Sequence, residues 1–266
     1  MSAPGGPAAI EPLLADPAAA AVLCDLDGTL APIVERPELA RVPDAARVAL
    51  ARVADRFGLA AVVSGRRATV ARGIVGLEKL VYVGNHGFEL LLPNAPEARP
   101  APGLGPHGRD AAEFVERLDP AALDAAGLRV EDKGPIIALH WRGAADETVA
   151  ADLAERIAAS ARADGLVLHR GRKVLELRPN GVVNKGTAIE SLLLGSAVTA
   201  ALYAGDDRTD LDGFAALERL AAAGRLGVAV RVGVASTEGP AEITERADVV
   251  VDGPAGLVPI LVALGG

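Results

Sequence analysis

The sequence predicts an α/β protein: a doubly wound parallel sheet carrying an inserted, smaller α+β cap. Three observations predict it. Short apolar runs alternate with longer helical stretches, the pattern of parallel strands joined by helical crossovers. Each polar cluster follows an apolar run rather than preceding it, and ligands of open α/β sheets bind beyond the carboxyl ends of the strands. The rhythm breaks between residues 103 and 173 and then resumes.

Residues 1–9 are rich in Pro, Gly and Ala and read as a frayed end. Strands are expected at 21–27, 59–64, 80–84, 200–206, 228–234 and 248–252, each a short apolar run. Helices are expected at 44–56, 68–75, 185–194 and 211–223. A Pro/Gly-rich stretch at 93–106 reads as a linker into the insert. The insert reads helix 108–118, strands 128–132 and 136–142, helix 147–163, strands 166–170 and 174–177. The domain boundaries drawn from this are core 1–102, cap 103–173 and core 174–266.

Composition narrows the function classes. Of the 266 residues 50% are hydrophobic, which excludes general disorder. A net charge of −8 with no basic run argues against a nucleic-acid partner. The one cysteine, Cys24, excludes an intrachain disulfide and a cysteine zinc cage. No run is long and apolar enough for a membrane helix, and the start has no basic signal-peptide region, so a cytoplasmic protein without a membrane partner is expected.

The first polar cluster is Asp25-Leu26-Asp27-Gly28-Thr29. Its two aspartates, at i and i+2, project to the same side, and Gly28 permits a tight turn. Alone this is equally an ordinary turn after a buried strand. The alternative is an aspartyl nucleophile with an acid/base partner, and a carboxylate attacking a phosphate ester needs cations nearby. Gly205-Asp206-Asp207-Arg208-Thr209-Asp210 offers hard oxygen ligands of the kind Mg²⁺ takes, or merely acids at a helix start. Ser64-Gly65-Arg66-Arg67 offers a hydroxyl and amides to phosphate oxygens, though Ser-Gly turns are common. Lys185, in Asn184-Lys185-Gly186, is a point charge for a transferring phosphoryl group or a surface lysine. Only four of the 27 basic residues are lysines, so a retained lysine hints that a compact ammonium is wanted. The ordered set D-x-D-G-T, S-G, K-G, G-D-D-x-x-D is far more specific than any member.

That order resembles the haloacid dehalogenase superfamily of phosphohydrolases and, more narrowly, the trehalose-6-phosphate phosphatases. The likeness runs from Val22 to about Leu264 and includes Gly84-Asn85-His86-Gly87, Val130-Glu131-Asp132-Lys133-Gly134, His140 and Leu175-Glu176-Leu177-Arg178-Pro179. It departs at Leu211, where many relatives carry glutamate. The resemblance implies Asp25 as nucleophile, Asp27 as general acid and then base, and Ser64, Gly65 and Lys185 on the phosphate. It implies Mg²⁺ held by Asp25, Asp206 and the backbone carbonyl of Asp27, with Asp207 and Asp210 holding the metal's waters. Arg66 and the cap residues Glu131, Lys133, His140 and Glu176 are implied to bind the sugar phosphate. Each cap residue also has an ordinary reading, as a solvated face or a satisfied histidine.

Asn85 and His86 are expected to shape a loop between core and cap; His107 and His169 have no partner to argue for. The implied reaction is Mg²⁺-dependent hydrolysis of trehalose 6-phosphate through an aspartyl-phosphate. The alternatives are phosphatases of sucrose, mannosylglycerate or hexose phosphates, a phosphomutase, or a sugar-phosphate sensor that kept the fold; a sensor has no need of the nucleophile. The length leaves no room for a synthase, so a separate trehalose-phosphate synthase is the expected upstream partner.

Overall fold

A computed structural model describes residues 6–34, 36–101, 107–180, 183–237 and 239–266. The chain forms two units, Met1–Arg99 with Val183–Gly266, and Pro100–Val182. In chain order the first begins with α1 (Gly6–Ala15), β1 (Ala20–Cys24), α2 (Asp44–Arg56), β2 (Leu59–Val63), α3 (Ala68–Val75), β3 (Val81–Gly84) and β4 (Glu89–Leu91), with β5 (Arg99–Pro100) at the boundary. The second holds α4 (Asp110–Glu116), α5 (Pro120–Ala126), β6 (Arg129–Asp132), β7 (Ile137–His140), α6 (Glu147–Ala163), β8 (Val167–Gly171) and β9 (Val174–Arg178). The first then resumes with α7 (Lys185–Leu194), β10 (Ala200–Gly205), α8 (Asp210–Ala222), β11 (Val228–Ala235), α9 (Ala241–Arg246), β12 (Val249–Asp252) and α10 (Gly253–Gly265).

Among the described residues the large sheet runs β12-β11-β10-β1-β2-β3-β4-β5. From β12 to β3 the pairings are parallel, and β4 returns antiparallel to β3. β1 lies between β10 and β2 and is buried throughout, because helices cover both faces of the sheet. Ala20, Val22 and Cys24 face one core, which includes Leu50, Val53, Leu257 and Leu261 of α2 and α10. Ala21 and Leu23 face the other, with Ile189 of α7 and Phe214 and Leu217 of α8. That alternation is the period of two of a strand, and it leaves Asp25 and Asp27 at the carboxyl edge of the central strand.

Four helices stand outside the sequence reading, the short α5 and α9 and the longer α1 and α10. Residues 6–9, expected in a frayed end, belong to α1, because Ile10 and Leu13 further along it are buried in the first core; residues 1–5 lie outside the described set. α10 forms despite Pro259, with Leu257, Leu261 and Leu264 buried at helical spacing.

In the second unit the order is β6-β7-β9-β8, all antiparallel. Ile137, Leu139, Leu175 and Leu177 cover one core with Phe114, Ala154 and Ile157 of α4 and α6. The sequence boundary at 173 is corrected here. β9 pairs with both β7 and β8, so residues 174–178 belong to this sheet and not to the resumed core. The other boundary, at 102/103, lies outside the described residues. No helix among the described residues is long and apolar enough to cross a membrane.

Candidate active site

Strand ends in the first unit gather the acids. Asp25 follows β1, and its amide donates to the carbonyl of Ala204 on β10 at 2.9 Å. Lys185 opens α7, whose first turn is fixed by a reciprocal cap between Asn184 and Thr187. Gly186 lets that turn press against α8, since a Cβ there would lie 2.3 Å from the carbonyl oxygen of Asp212. Lys185 is thereby buried, and its Nζ donates to Asp25 Oδ1 and Asp210 Oδ1, at 2.7 Å each, with Asp207 Oδ1 at 3.9 Å.

Asp210 is the frame of this cluster. Its Oδ2 accepts from the amides of Asp206 and Asp207 at 3.0 Å each, and its Oδ1 from Lys185 and the hydroxyl of Tyr203. Asp206 accepts from Thr29 Oγ1 at 2.8 Å. Gly28, at φ 91°, lies against it so closely that a Cβ would sit 2.0 Å from Asp206 Oδ2.

Burial drives the electrostatics. It pushes the Asp25 carboxyl well above its usual range, against the pull of Lys185, and pushes Asp206 up to about 6 against the Thr29 hydrogen bond. Burial alone would lower Lys185, but the carboxylates of Asp210, Asp25 and Asp207 outweigh it and hold the ammonium charged. Ligand oxygens of Asp25, Asp206 and Asp210 lie within 4.8 Å of one another, all three buried. One ammonium does not balance three buried carboxylates, and an all-oxygen donor set fits a hard divalent cation. Asp210, already taken by four donors, fits the role of frame better than that of direct ligand.

Ser64 follows β2 and is buried; its hydroxyl accepts from the amide of Arg66 at 3.1 Å. Gly65 admits the ring of His86, whose Cε1 would be 2.6 Å from a Cβ there. Arg66 forks onto Asp27, Nε to Oδ2 and Nη2 to Oδ1, both at 2.6 Å. The first unit therefore brings together Asp25, Asp27, Ser64, Gly65, Arg66, Lys185, Asp206, Asp207 and Asp210. Asn85 and His86 pack against the 64–67 turn.

In the second unit the polar face of the sheet carries one network. Glu131 Oε2 lies 2.6 Å from His140 Nε2, and Lys133 Nζ donates to Glu176 Oε1 at 3.0 Å. Arg178 donates to Glu176 Oε2 through Nη2 at 2.6 Å and Nε at 3.2 Å. Burial would raise the Glu176 carboxyl, but Arg178 and Lys133 hold it below its ordinary range. Ala138 stands in register between Glu131 and Glu176. His107 pairs with Asp110 at the start of α4, and His169 is exposed on β8.

Sequence reasoning gave no role to Thr29, Tyr203, Glu89 or Arg178. Thr29 and Arg178 lie within the D-x-D-G-T and Leu175–Pro179 motifs, and Arg178, two residues beyond Glu176 on one strand face, is the clearest signal. Tyr203 is the one aromatic residue in an alanine-rich strand.

The fold is that of the haloacid dehalogenase-like hydrolases. One such hydrolase from Bacteroides thetaiotaomicron superposes with a TM-score of 0.63 at 13% identity, covering 91% of this chain and 97% of that one. The C-terminal domain of trehalose-6-phosphate phosphatase from Candida albicans superposes at 0.65 and 19% identity, covering 100% and 99%. The chain belongs to the trehalose-phosphatase family, whose model matches residues 23–248. It is 34% identical over 235 residues to the trehalose 6-phosphate phosphatase RA3 of Zea mays, covering 82% of this chain and 65% of that protein. Other curated relatives are spanned over less of their length, 54% for a rice trehalose-phosphate phosphatase, 51% for one from Mycobacterium avium and 15% for a Mycobacterium tuberculosis protein described as a glycosyl hydrolase.

Proposed function

We propose that this chain is a Mg²⁺-dependent phosphatase that releases trehalose and phosphate from trehalose 6-phosphate, working in the cytoplasm on substrate from a separate trehalose-phosphate synthase. The observation that carries the chemistry is the buried Asp25–Lys185 pair at 2.7 Å, set among further carboxylates at the strand ends. Family membership supports the substrate class.

In this reading an oxygen of Asp25 attacks phosphorus, and the bond from phosphorus to the sugar oxygen breaks. Asp27 gives its proton to the leaving sugar oxygen. Asp27 then takes a proton from water, the water oxygen attacks the aspartyl-phosphate, and phosphate leaves with Asp25 restored. Lys185 and the 64–66 backbone and hydroxyl hold the phosphoryl oxygens, the positioning and charge stabilisation that phosphoryl transfer needs. Asp25, Asp206 and the Asp27 carbonyl would hold the cation, with Asp207 and Asp210 arranging its water ligands; bound there, it supplies the charge that lets a phosphate dianion approach carboxylates. Glu131, Lys133, His140 and Glu176 are the proposed sugar-recognising groups, and Arg178 keeps Glu176 charged.

Asp25→Asn tests the nucleophile. It preserves shape and removes the attacking carboxylate, so phosphate release falls to background while circular dichroism is unchanged. Wild-type turnover by folded Asp25→Asn would contradict the covalent route.

A further inference from the structure

We propose that Glu89 is a positioning residue for the 64–67 turn, an inference that rests on reading that turn as the phosphate-binding one. The turn joins β2 to α3, and its backbone hangs on the corner between β3 and β4. The Ser64 amide donates to the Val83 carbonyl at 2.9 Å, the Asn85 amide to that of Arg66 at 2.8 Å, and the His86 amide to that of Ser64 at 2.9 Å. At this corner Asn85 and His86 both adopt left-handed backbone, at φ 50° and 57°, a conformation uncommon for non-glycine residues. Their part in the fold is thus to shape this turn.

A further tie is a side chain. Glu89 Oε2 accepts from the amide of Ala68, the first residue of α3, at 2.9 Å, and Arg67 Nε lies 3.6 Å from Oε1. Glu89 is only 4% exposed and sits opposite Gly84 in β4. The N-cap residue of α3, Arg67, gives its helix no side-chain cap. The amide of Ala68 therefore takes its acceptor, an anion at the positive end of the helix, from 21 residues further along the chain. Gly84 permits the approach, since a Cβ there would lie 2.2 Å from the Ala68 nitrogen. Backbone ties hold the start and middle of the turn, and Glu89 holds the point where it enters the helix. It thereby sets where the Ser64 hydroxyl and the Arg66 guanidinium stand.

The experiment compares kcat and KM on trehalose 6-phosphate and p-nitrophenyl phosphate, with Tm, for wild type, Glu89→Ala and Glu89→Gln, assayed well below each Tm. Misplacing a binding group by about 1 Å can cost on the order of a hundredfold, so Glu89→Ala is expected to lower kcat/KM at least about tenfold on both substrates alike. Glu89→Gln keeps an acceptor for the Ala68 amide and is expected to stay within about threefold of wild type. Folded Glu89→Ala with wild-type kcat/KM overturns the proposal, and so does Glu89→Gln falling as far as Glu89→Ala. If Glu89→Ala does not fold, Glu89→Asp, whose shorter arm withdraws the acceptor, carries the same expectation of loss and the same contradiction. A wild type that releases phosphate from neither substrate defeats the phosphatase reading; an active wild type with an unaffected Glu89 variant defeats this inference alone.

Discussion

Arg66 holds Asp27 by both carboxylate oxygens, with Nε and Nη2 each 2.6 Å from its partner. A planar guanidinium matches a carboxylate in this two-point way, and an ammonium does not. The proposed acid/base residue is therefore oriented by the turn that the proposed phosphate site uses, and loss of the fork disturbs both.

Arg66→Lys keeps the charge and loses the fork. We expect kcat/KM for trehalose 6-phosphate to fall by about tenfold or more, equivalent to about 1.4 kcal/mol. Steady-state kinetics check this, and a Lys variant with wild-type constants contradicts the pairing's importance.

Asp206 gives the metal prediction. Its carboxyl is pushed up to about 6, mainly by burial. An acid raised in the folded state favours the protonated form, so at pH 7.5 its charge destabilises the cation-free fold. Asp206→Asn should therefore leave the Tm of chelator-treated protein unchanged or higher. Mg²⁺ should raise the wild-type Tm and have little effect on the variant, since a ligand that binds only the folded state stabilises it. Calorimetry with and without Mg²⁺ reads both; equal Mg²⁺ shifts in the two proteins count against Asp206 as a ligand. Phosphate release should also stop in excess chelator and return with Mg²⁺.

Glu176 supplies the pH prediction. Arg178 and Lys133 hold its carboxyl below the ordinary value of 4.5, despite burial. A depressed folded value means a stabilising contribution present above about 4.5 and lost as pH falls through the folded value. The Tm difference between wild type and Glu176→Gln should be full at pH 7 and shrink toward pH 3. A difference that grows on acidification contradicts the sign.

The strand-end acids were legible because strands buried on both faces read as unbroken apolar runs, so the first acid marks the sheet edge. Asp25, Ser64 and Asp206 all stand at such breaks. The edge of the insert was harder: Val174-Leu175-Glu176-Leu177-Arg178 alternates in the way any half-buried strand does, and pairing alone assigns it to the small sheet. α1 and α10 were hidden by their prolines, which local propensity penalises and burial of Ile10, Leu13, Leu257 and Leu261 overrides. Glu89 was hidden for another reason. Its partner, the Ala68 amide, is a backbone group far along the chain, and no side-chain pattern announces it.

The most direct test of the account is phosphate release by the wild-type protein from trehalose 6-phosphate and from glucose 6-phosphate, with Mg²⁺ present. In the proposed reading the strand-end residues recognise phosphate alone, which these two substrates share. The Glu131–His140 and Lys133–Glu176–Arg178 groups tell them apart in that reading, and polar groups left unpaired by the smaller sugar cost about 1–3 kcal/mol each. The account predicts a kcat/KM at least about tenfold higher for trehalose 6-phosphate. Equal values for the two, or a preference for glucose 6-phosphate, would contradict it.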